Sequence, residues 1–301
     1  MFVIDKKIET LRVALAESTV MMTEATMERV RAGTTPKGNV VELARVAGVM
    51  AAKKTSELLP YCHPVPIDGV QLSFALLPDA IRVQARVYSV SKTGVEMEAL
   101  TAVSVATLTL YDMLKPIDKG LEITHTKLLE KHGGKSDFQE HIPQNFKAAV
   151  VVTSDGTHRG TREDKPGKII QERLAAHDIT DITYIILPDD QTKIRDTLSE
   201  LCDGGTHLII TTGGTGLGPR DVTVEATAEV IEREVVGIAE AMRMHGQRRT
   251  PYAMLSRGLV GLRGQTLIVN LPGSSRGAME SMDAIFPAVL HSFKMLHGDA
   301  R

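Results

Sequence analysis

Residues 208–221 read LIITTGGTGLGPRD. An apolar, strand-like run stops at four glycines within six residues, and Arg220 and Asp221 follow. Glycine admits positive φ and lets a ligand approach the main chain closely. Thr223 is placed to cap a helix over 224–244, with Glu225 in its first turn. A strand feeding a glycine turn and then a helix N-terminus is a recurrent way of holding phosphate. Two familiar versions are excluded. A P-loop ends in Gly-Lys-Ser/Thr, whereas this loop offers Gly218-Pro219-Arg220. A dinucleotide fingerprint, G-x-G-x-x-G, counted from Gly214 meets Pro219 at its sixth position. The glycines alone leave two readings open: a nucleotide or phosphoanion loop of a less common kind, and a structural turn.

Around this loop the sequence alternates between strand and helix. Strands are expected over 148–153, 182–187, 207–212 and 265–270, with helices over 166–177, 192–202, 224–244 and after Ser275. That order specifies a three-layer α/β domain with a mostly parallel sheet. Ligands bind beyond the carboxyl ends of such strands. Here those ends carry Ser154-Asp155-Gly156, Pro188-Asp189-Asp190, the glycine loop, and Asn270-Leu271-Pro272-Gly273-Ser274. Carboxylates beside phosphate-binding amides suit a divalent cation, since Mg²⁺ takes one or two carboxylates plus substrate phosphates. Each aspartate alone reads as a turn or cap residue; their convergence on one sheet edge favours a site.

The chain has 301 residues, enough for two domains. Hydrophobic residues make up 43% and aromatics 4%, with no Trp, so Leu, Val, Ile, Met and Ala must fill the cores. A net charge of −2, from 35 basic and 37 acidic residues, argues against nucleic acid as a partner. Cys62 and Cys202 give neither a disulfide framework nor a zinc spacing, which fits a reducing cytoplasm. The start, MFVIDKK, lacks a signal-peptide core, and no run of about eighteen apolar residues occurs, so no membrane span is expected.

Residues 130–147, EKHGGKSDFQEHIPQNFK, are polar and aperiodic. A linker is expected over 138–147, separating a domain over 1–137 from one over 148–301. The first domain reads as α+β. Asn39-Val40-Val41-Glu42 is a capping box opening a helix that Pro60 limits. Val70, Leu72, Phe74 and Leu76 alternate, as do Ile81, Val83, Ala85 and Val87, and the LPDA between them makes a hairpin. A second helix is expected over 95–114, ending before Pro116, and a last strand over 121–129. The simplest layering puts two helices on one face of an antiparallel sheet.

Polar clusters in this half are Thr35-Pro36-Lys37-Gly38, Tyr61-Cys62-His63-Pro64, Lys92-Thr93-Gly94-Val95-Glu96-Met97-Glu98 and Asp112-Met113-Leu114-Lys115. Asp112 and Lys115 share a helix face. Singly, each cluster reads as a solvated lysine, a turn histidine, first-turn acids or a surface ion pair. Collectively, they suggest acid–base work on a multiply anionic substrate, with a lysine of lowered pKa as acid or base.

Two resemblances sharpen these readings. VTSDGTHRGTREDKPG, LPDD, LIITTGGTGLGPRDVT and SRGLVGLRGQTLIVNLPGS, in that order, resemble the molybdopterin adenylyltransferase family, the MogA/MoaB group, over about residues 147–298. The resemblance implies transfer of AMP from Mg-ATP to the terminal phosphate of molybdopterin. It makes Asp189 and Asp221 the essential carboxylates and metal ligands. It puts Gly213, Gly214, Thr215 and Gly216 on the nucleotide or pterin phosphate, with Asp155, Asp164, Pro272, Gly273 and Ser274 lining the same pocket.

KGNVVELARVAGVMAAKKTSELLPYCHP, SKTGVEMEALTAVSVATLTLYDMLK and GGKS resemble cyclic pyranopterin monophosphate synthase, the MoaC family, over about residues 2–137. This implies a ferredoxin-like fold, sites built between subunits, and rearrangement of a cyclised dihydro-GTP with release of pyrophosphate. Lys37 and Lys115 become the catalytic lysines. His63, Asp112, Glu96 and Glu98 would assist proton transfer or hold base and triphosphate, with Cys62 and Pro64 in the same binding segment. Arg12, Lys53 and Lys131 would hold the triphosphate. The lead before the segment matching 8–20 is shorter than the family often carries. Together the resemblances imply a bifunctional molybdenum cofactor biosynthesis enzyme. Its partners would be nucleotide and pterin substrates and other enzymes of the pathway. Mg²⁺ would act with ATP, no organic cofactor would be tightly bound, and the assembly would be a homotrimer or homohexamer. A non-catalytic pterin- or nucleotide-binding and assembly role for the C-terminal domain stays open.

Overall fold

In β1 (Thr10–Met21) alternate residues Ala14, Ala16, Ser18 and Val20 are fully buried, while Leu11 on the other face is 56% exposed. The inward face is small and partly polar, so the apolar alternation that betrays a strand is inverted, and sequence reading passes over the element. Ser18 satisfies its hydroxyl on Thr107 and Thr126, as a buried polar group must. The computed structural model describes residues 1–138, 140 and 142–297. They divide into two units after Phe138.

In the first unit β1 is followed by α1 (Glu24–Ala32), α2 (Val40–Lys53), α3 (Thr55–Leu58), β2 (Gly69–Leu76), β3 (Ala80–Ser91), α4 (Glu96–Leu114) and β4 (Glu122–His132). The sheet order is β2-β3-β1-β4, all neighbours antiparallel. This is the ferredoxin-like β-α-β-β-α-β arrangement. Asn39 caps α2 by accepting from the Glu42 N–H at 3.1 Å, but the Glu42 carboxylate pairs with Arg45 and does not close the box. α4 packs Ala99, Ala102, Val103, Ala106 and Leu110 into the core with Val83, Ala85 and Val87 of β3 and Val40 and Ala44 of α2. By length and composition α4 could cross a bilayer, but it carries Glu96, Glu98 and Asp112, and half of that stretch is buried in this core.

The second unit runs β5 (Lys147–Thr153), α5 (Asp155–His158), α6 (Pro166–Ala175), β6 (Asp181–Leu187), α7 (Gln191–Asp203), β7 (Leu208–Thr212), α8 (Thr223–Ala228), β8 (Arg233–Glu234), α9 (Val236–Gln247), β9 (Val260–Arg263), β10 (Thr266–Leu271), α10 (Ser275–Ile285) and α11 (His291–His297). Strand order is β6-β5-β7-β10-β9-β8. The first four strands are parallel, and β9 and β8 add an antiparallel edge. One sheet face, with Val150, Ile210 and Val269, meets Ile170, Leu174 and Met282; the other, with Val151, Ile209 and Ile268, meets Ile194, Leu198 and Ala226. These are the three layers expected.

The single helix expected over 224–244 is corrected. The chain leaves α8 after six residues, and Glu232 and Val235 donate to the Leu262 and Val260 carbonyls to form the β8 edge. Apolar residues at 230, 231, 235 and 236 fit a helical period equally well, which hid the break. Of the expected linker, residues 139 and 141 lie outside the described residues, as do 298–301 of the C-terminal segment. Other linker residues pack onto the second unit: Glu140 pairs with His291 and Lys294, and Phe146 meets Phe293 edge-on at 4.7 Å.

Candidate active sites

The glycine loop is fixed first by its main chain. Gly213 has φ +104°, and a Cβ there would lie 2.2 Å from the Thr153 carbonyl oxygen; at Gly214, φ +60°, it would lie 2.2 Å from Thr223 Oγ1. Both positions therefore require glycine. Gly213→Ala should lower stability of this unit by roughly 1–3 kcal/mol through backbone strain, read by urea denaturation. Thr223 is not the cap expected of it. Its hydroxyl pairs with Thr153 Oγ1 at 2.9 Å, its N–H donates to the Gly214 carbonyl, and Val222 heads α8 without a side-chain cap. The longer helix opening here is α10, capped by Ser274 Oγ on the Gly277 N–H.

A cleft of about 380 Å³ opens over these strand ends. Among its lining residues are Asp189, Asp221, Gly213, Gly214, Gly273 and Ser274. Asp164 also lines it, with both carboxylate oxygens already engaged, one by the Gly167 N–H and one by the Tyr184 hydroxyl. Asp155, Thr215, Gly216 and Pro272, expected in the same pocket, lie outside this set of lining residues. Asp155 and Asp189 exchange hydrogen bonds, each carboxylate accepting the other's N–H at 3.1 and 3.0 Å, and Asp155 Oδ2 takes Arg220 at 2.6 Å. Those bonds, from Arg220 first and then the Asp189 N–H, hold the Asp155 carboxyl below the usual range. Thr215 is buried, Gly216 gives its carbonyl to Arg257, and Pro272 lines a neighbouring pocket of about 190 Å³. Arg162 and Arg220, to which the sequence reading gave no role in the site, line the cleft as well.

The cleft fits a magnesium-nucleotide by its donor set. Asp189 and Asp221 each engage one carboxylate oxygen with a main-chain N–H, at 3.0 and 2.8 Å. Neither second oxygen has a hydrogen bond to the described residues. No group of three or more His, Cys, Asp or Glu there is arranged to cage a metal. Two carboxylates completed by phosphate oxygens is the coordination Mg²⁺ accepts, unlike the cages of Zn²⁺ or Ca²⁺.

In the first unit the expected residues fall into two groups at opposite ends of α4. At its C-terminal end, Lys37 Nζ donates to the Asp112 main-chain oxygen at 2.9 Å and to Oδ2 at 3.0 Å, and Lys115 Nζ donates to Oδ1 at 2.7 Å. Lys115 and Lys37 hold the Asp112 carboxyl below its usual range, and Asp112 raises the Lys115 ammonium. The expectation of a lowered lysine pKa is therefore corrected for Lys115, which stays cationic.

At the N-terminal end, Glu98 is 2% exposed and takes the Cys62 thiol on Oε1 at 3.6 Å, while Oε2 has no hydrogen-bond partner among the described residues. Burial pushes the Glu98 carboxyl up, and burial plus the facing carboxylate pushes the Cys62 thiol up to about 11. Cys62 is thus a neutral donor and not a nucleophile at neutral pH. Lys131 Nζ lies 3.8 Å from Glu96 Oε1. Arg12 is buried beneath them, bonded to the Ser91 and Lys92 carbonyls. His63 donates Nε2–H to the Phe2 carbonyl at 2.8 Å. Pro64 and Lys53 are exposed, Lys53 in the last turn of α2.

Because the folded pKa of Glu98 is raised, its ionisation opposes folding. Its contribution is neutral below the unfolded carboxylate value, about 4.3, and stability falls as pH rises from there through the folded value. Glu98→Gln should match wild type near the acid limit and exceed it increasingly toward neutrality, as calorimetry across that range would show.

Two domains with a separate polar centre in each define the class: an α+β unit presenting clustered cations and carboxylates, joined to an α/β unit with an acidic, glycine-walled cleft. Comparison with known proteins agrees. The MoaC family model matches residues 1–134, and that of the probable molybdopterin binding domain matches 149–291. A molybdenum cofactor biosynthesis bifunctional protein of Chlorobaculum tepidum is 40% identical over 96% of this chain and 92% of its own. A cyclic pyranopterin monophosphate synthase of Novosphingobium aromaticivorans is 53% identical over 43% of this chain and 83% of its own. The crystal structure of the molybdopterin biosynthesis enzyme MoaB of Thermus thermophilus is 45% identical, covering 51% of this chain and 97% of that one, with a TM-score of 0.49. The chain belongs to the family of bifunctional molybdenum cofactor biosynthesis proteins, a MoaC domain fused to a MoaB/MogA-type domain.

Proposed function

We infer that the first domain converts 3′,8-cyclo-7,8-dihydroguanosine triphosphate to cyclic pyranopterin monophosphate and pyrophosphate, and that the second adenylylates molybdopterin with ATP. The observation carrying the first half is the Lys37–Asp112–Lys115 cluster. One ionised carboxylate orients two ammonium groups, which can donate protons to, and neutralise, a phosphate-bearing substrate. Sixteen residues of α4 separate Glu96 from Asp112, about 24 Å at the helical rise. The two groups therefore form one site only if neighbouring copies bring opposite ends of α4 together, which supports a homo-oligomer.

For the second half, the carrying observation is Asp189 and Asp221 on one cleft with the Gly213-Gly214 main chain. Adenylyl transfer needs in-line positioning and charge neutralisation more than covalent help. A molybdopterin phosphate oxygen would bond to the α-phosphorus of ATP as the bond to pyrophosphate breaks. Mg²⁺, held by Asp189 and Asp221, would neutralise the triphosphate. The glycine amides would orient the phosphates, and Arg162 and Arg220 would offset the charge of two anions brought together. Incubating the full chain with molybdopterin and Mg-ATP should yield adenylylated pterin and pyrophosphate; binding of both without transfer would leave the domain a binding module.

A further inference from the structure

Arg257 lies between α9 and β9, outside the set of residues lining the cleft. Its bonds span the glycine loop. Its N–H donates to the Thr215 carbonyl at 3.0 Å, Nε to the Gly216 carbonyl at 2.7 Å and Nη2 to the Asp221 carbonyl at 2.7 Å. Nη1 and Nη2 also engage both oxygens of the Glu225 carboxylate in the first turn of α8. We propose that Arg257 is a positioning residue for the nucleotide site, clamping the Thr215-to-Asp221 loop so that the Asp221 carboxylate is held at the cleft.

Residues 213–222 belong to no strand or helix. The loop crosses from β7 to α8, and its carbonyls at 215, 216 and 221 take their donors from Arg257. A guanidinium, planar with five N–H groups in a fixed fork, can serve acceptors in several directions at once, which an ammonium cannot. The carboxylate depends on the loop's shape. The Gly218 N–H donates to Asp221 Oδ2 at 2.8 Å, and Cβ atoms at Gly216 and Gly218 would lie 2.9 and 2.7 Å from that same oxygen. Asp221 is thus wrapped by the segment whose two ends Arg257 ties together. Glu225 neutralises the clamp, so the arginine adds no net charge beside the cleft. Arg220, by contrast, faces the cleft and pairs with Asp155.

The proposal rests on the reading of this cleft as the magnesium-nucleotide site. Its test is a double-mutant cycle on Mg-ATP affinity, measured by titration calorimetry on the full chain. Arg257→Ala and Asp221→Asn should each weaken binding by about tenfold or more, and the double variant should be within about threefold of Asp221→Asn alone, because coupled residues are not additive. Losses that multiply to about a hundredfold, as two independent sites give, would overturn the clamp, as would wild-type affinity in Arg257→Ala. If Arg257→Ala does not fold, Arg257→Lys replaces it in the cycle, with an intermediate loss and the same non-additivity expected. Wild-type chain that binds Mg-ATP but forms no adenylylated pterin would refute adenylyl transfer, leaving the cycle to decide the clamp.

Discussion

Lys37→Ala is expected to lower formation of cyclic pyranopterin monophosphate by on the order of 10²–10⁴-fold, the range of a lost general acid or base, while adenylyl transfer by the same preparation is unchanged. Lys37 is one of two ammonium groups on Asp112, and both partners are about half exposed, 42% and 56% by side chain. An exposed pair of this kind contributes little to folding, and Lys115 keeps its own bond to Asp112 Oδ1 at 2.7 Å. The variant therefore keeps its fold and its carboxylate in place and lacks only one proton-bearing cation. Loss of both activities would point to misassembly instead.

The division of the site across α4 makes this prediction sharper. A chain lacking Lys37 retains the group at the other end of the helix, with Cys62, His63, Glu96 and Glu98. A His63→Ala chain retains Lys37, Asp112 and Lys115. If one site needs opposite α4 ends from two chains, mixing the two inactive variants under conditions of subunit exchange recovers activity. With random pairing in a two-fold dimer, half the pairs are hybrid and each has one intact site of two, so about a quarter of wild-type activity returns. No recovery from fully exchanged mixtures would place each site within one chain.

The fold was most legible where apolar periodicity was strong. The hairpin of β2 and β3, helix α4 and the four parallel strands all lie close to their expected positions, because alternating Val, Leu, Ile and Phe must face a core. It was least legible where the inward face is small, as in β1, or where one apolar period suited two structures, as around 224–244. The site followed the same logic. Strand-end position alone brought Asp189, Asp221, Gly213 and Ser274 to one rim, since the topology determines where parallel strands end. It did not separate them from Asp155 and Asp164, which have the same character in sequence but whose oxygens are consumed by the Asp189 and Gly167 amides, Arg220 and Tyr184. Nor could it find Arg257, whose partners on the glycine loop are main-chain carbonyls more than thirty-five residues away in sequence. Such acceptors leave no trace in residue type.

Asp189→Asn and Asp221→Asn should each reduce adenylyl transfer by on the order of 10²–10³-fold, the scale of one preorganised electrostatic contact, with pyranopterin formation untouched. Asparagine suits the purpose because each carboxylate has a structural half and an open half. Asp189 Oδ2 accepts the Asp155 N–H and Asp221 Oδ2 accepts the Gly218 N–H. The amide oxygen of Asn can keep either bond, so what is removed is the negative charge. Stability within about 0.5 kcal/mol of wild type is expected from such isosteric changes near the surface, checked by urea denaturation. Alanine at 189 would be a poorer test, because it also leaves the Asp155 N–H without its partner and frees the Asp155–Arg220 pair to move. If these carboxylates act through a cation, raising Mg²⁺ should recover part of the activity of each single variant and little in Asp189→Asn/Asp221→Asn. If both single variants transferred AMP at the wild-type rate, the two aspartates would revert to being turn residues and the cleft would need another source of charge neutralisation.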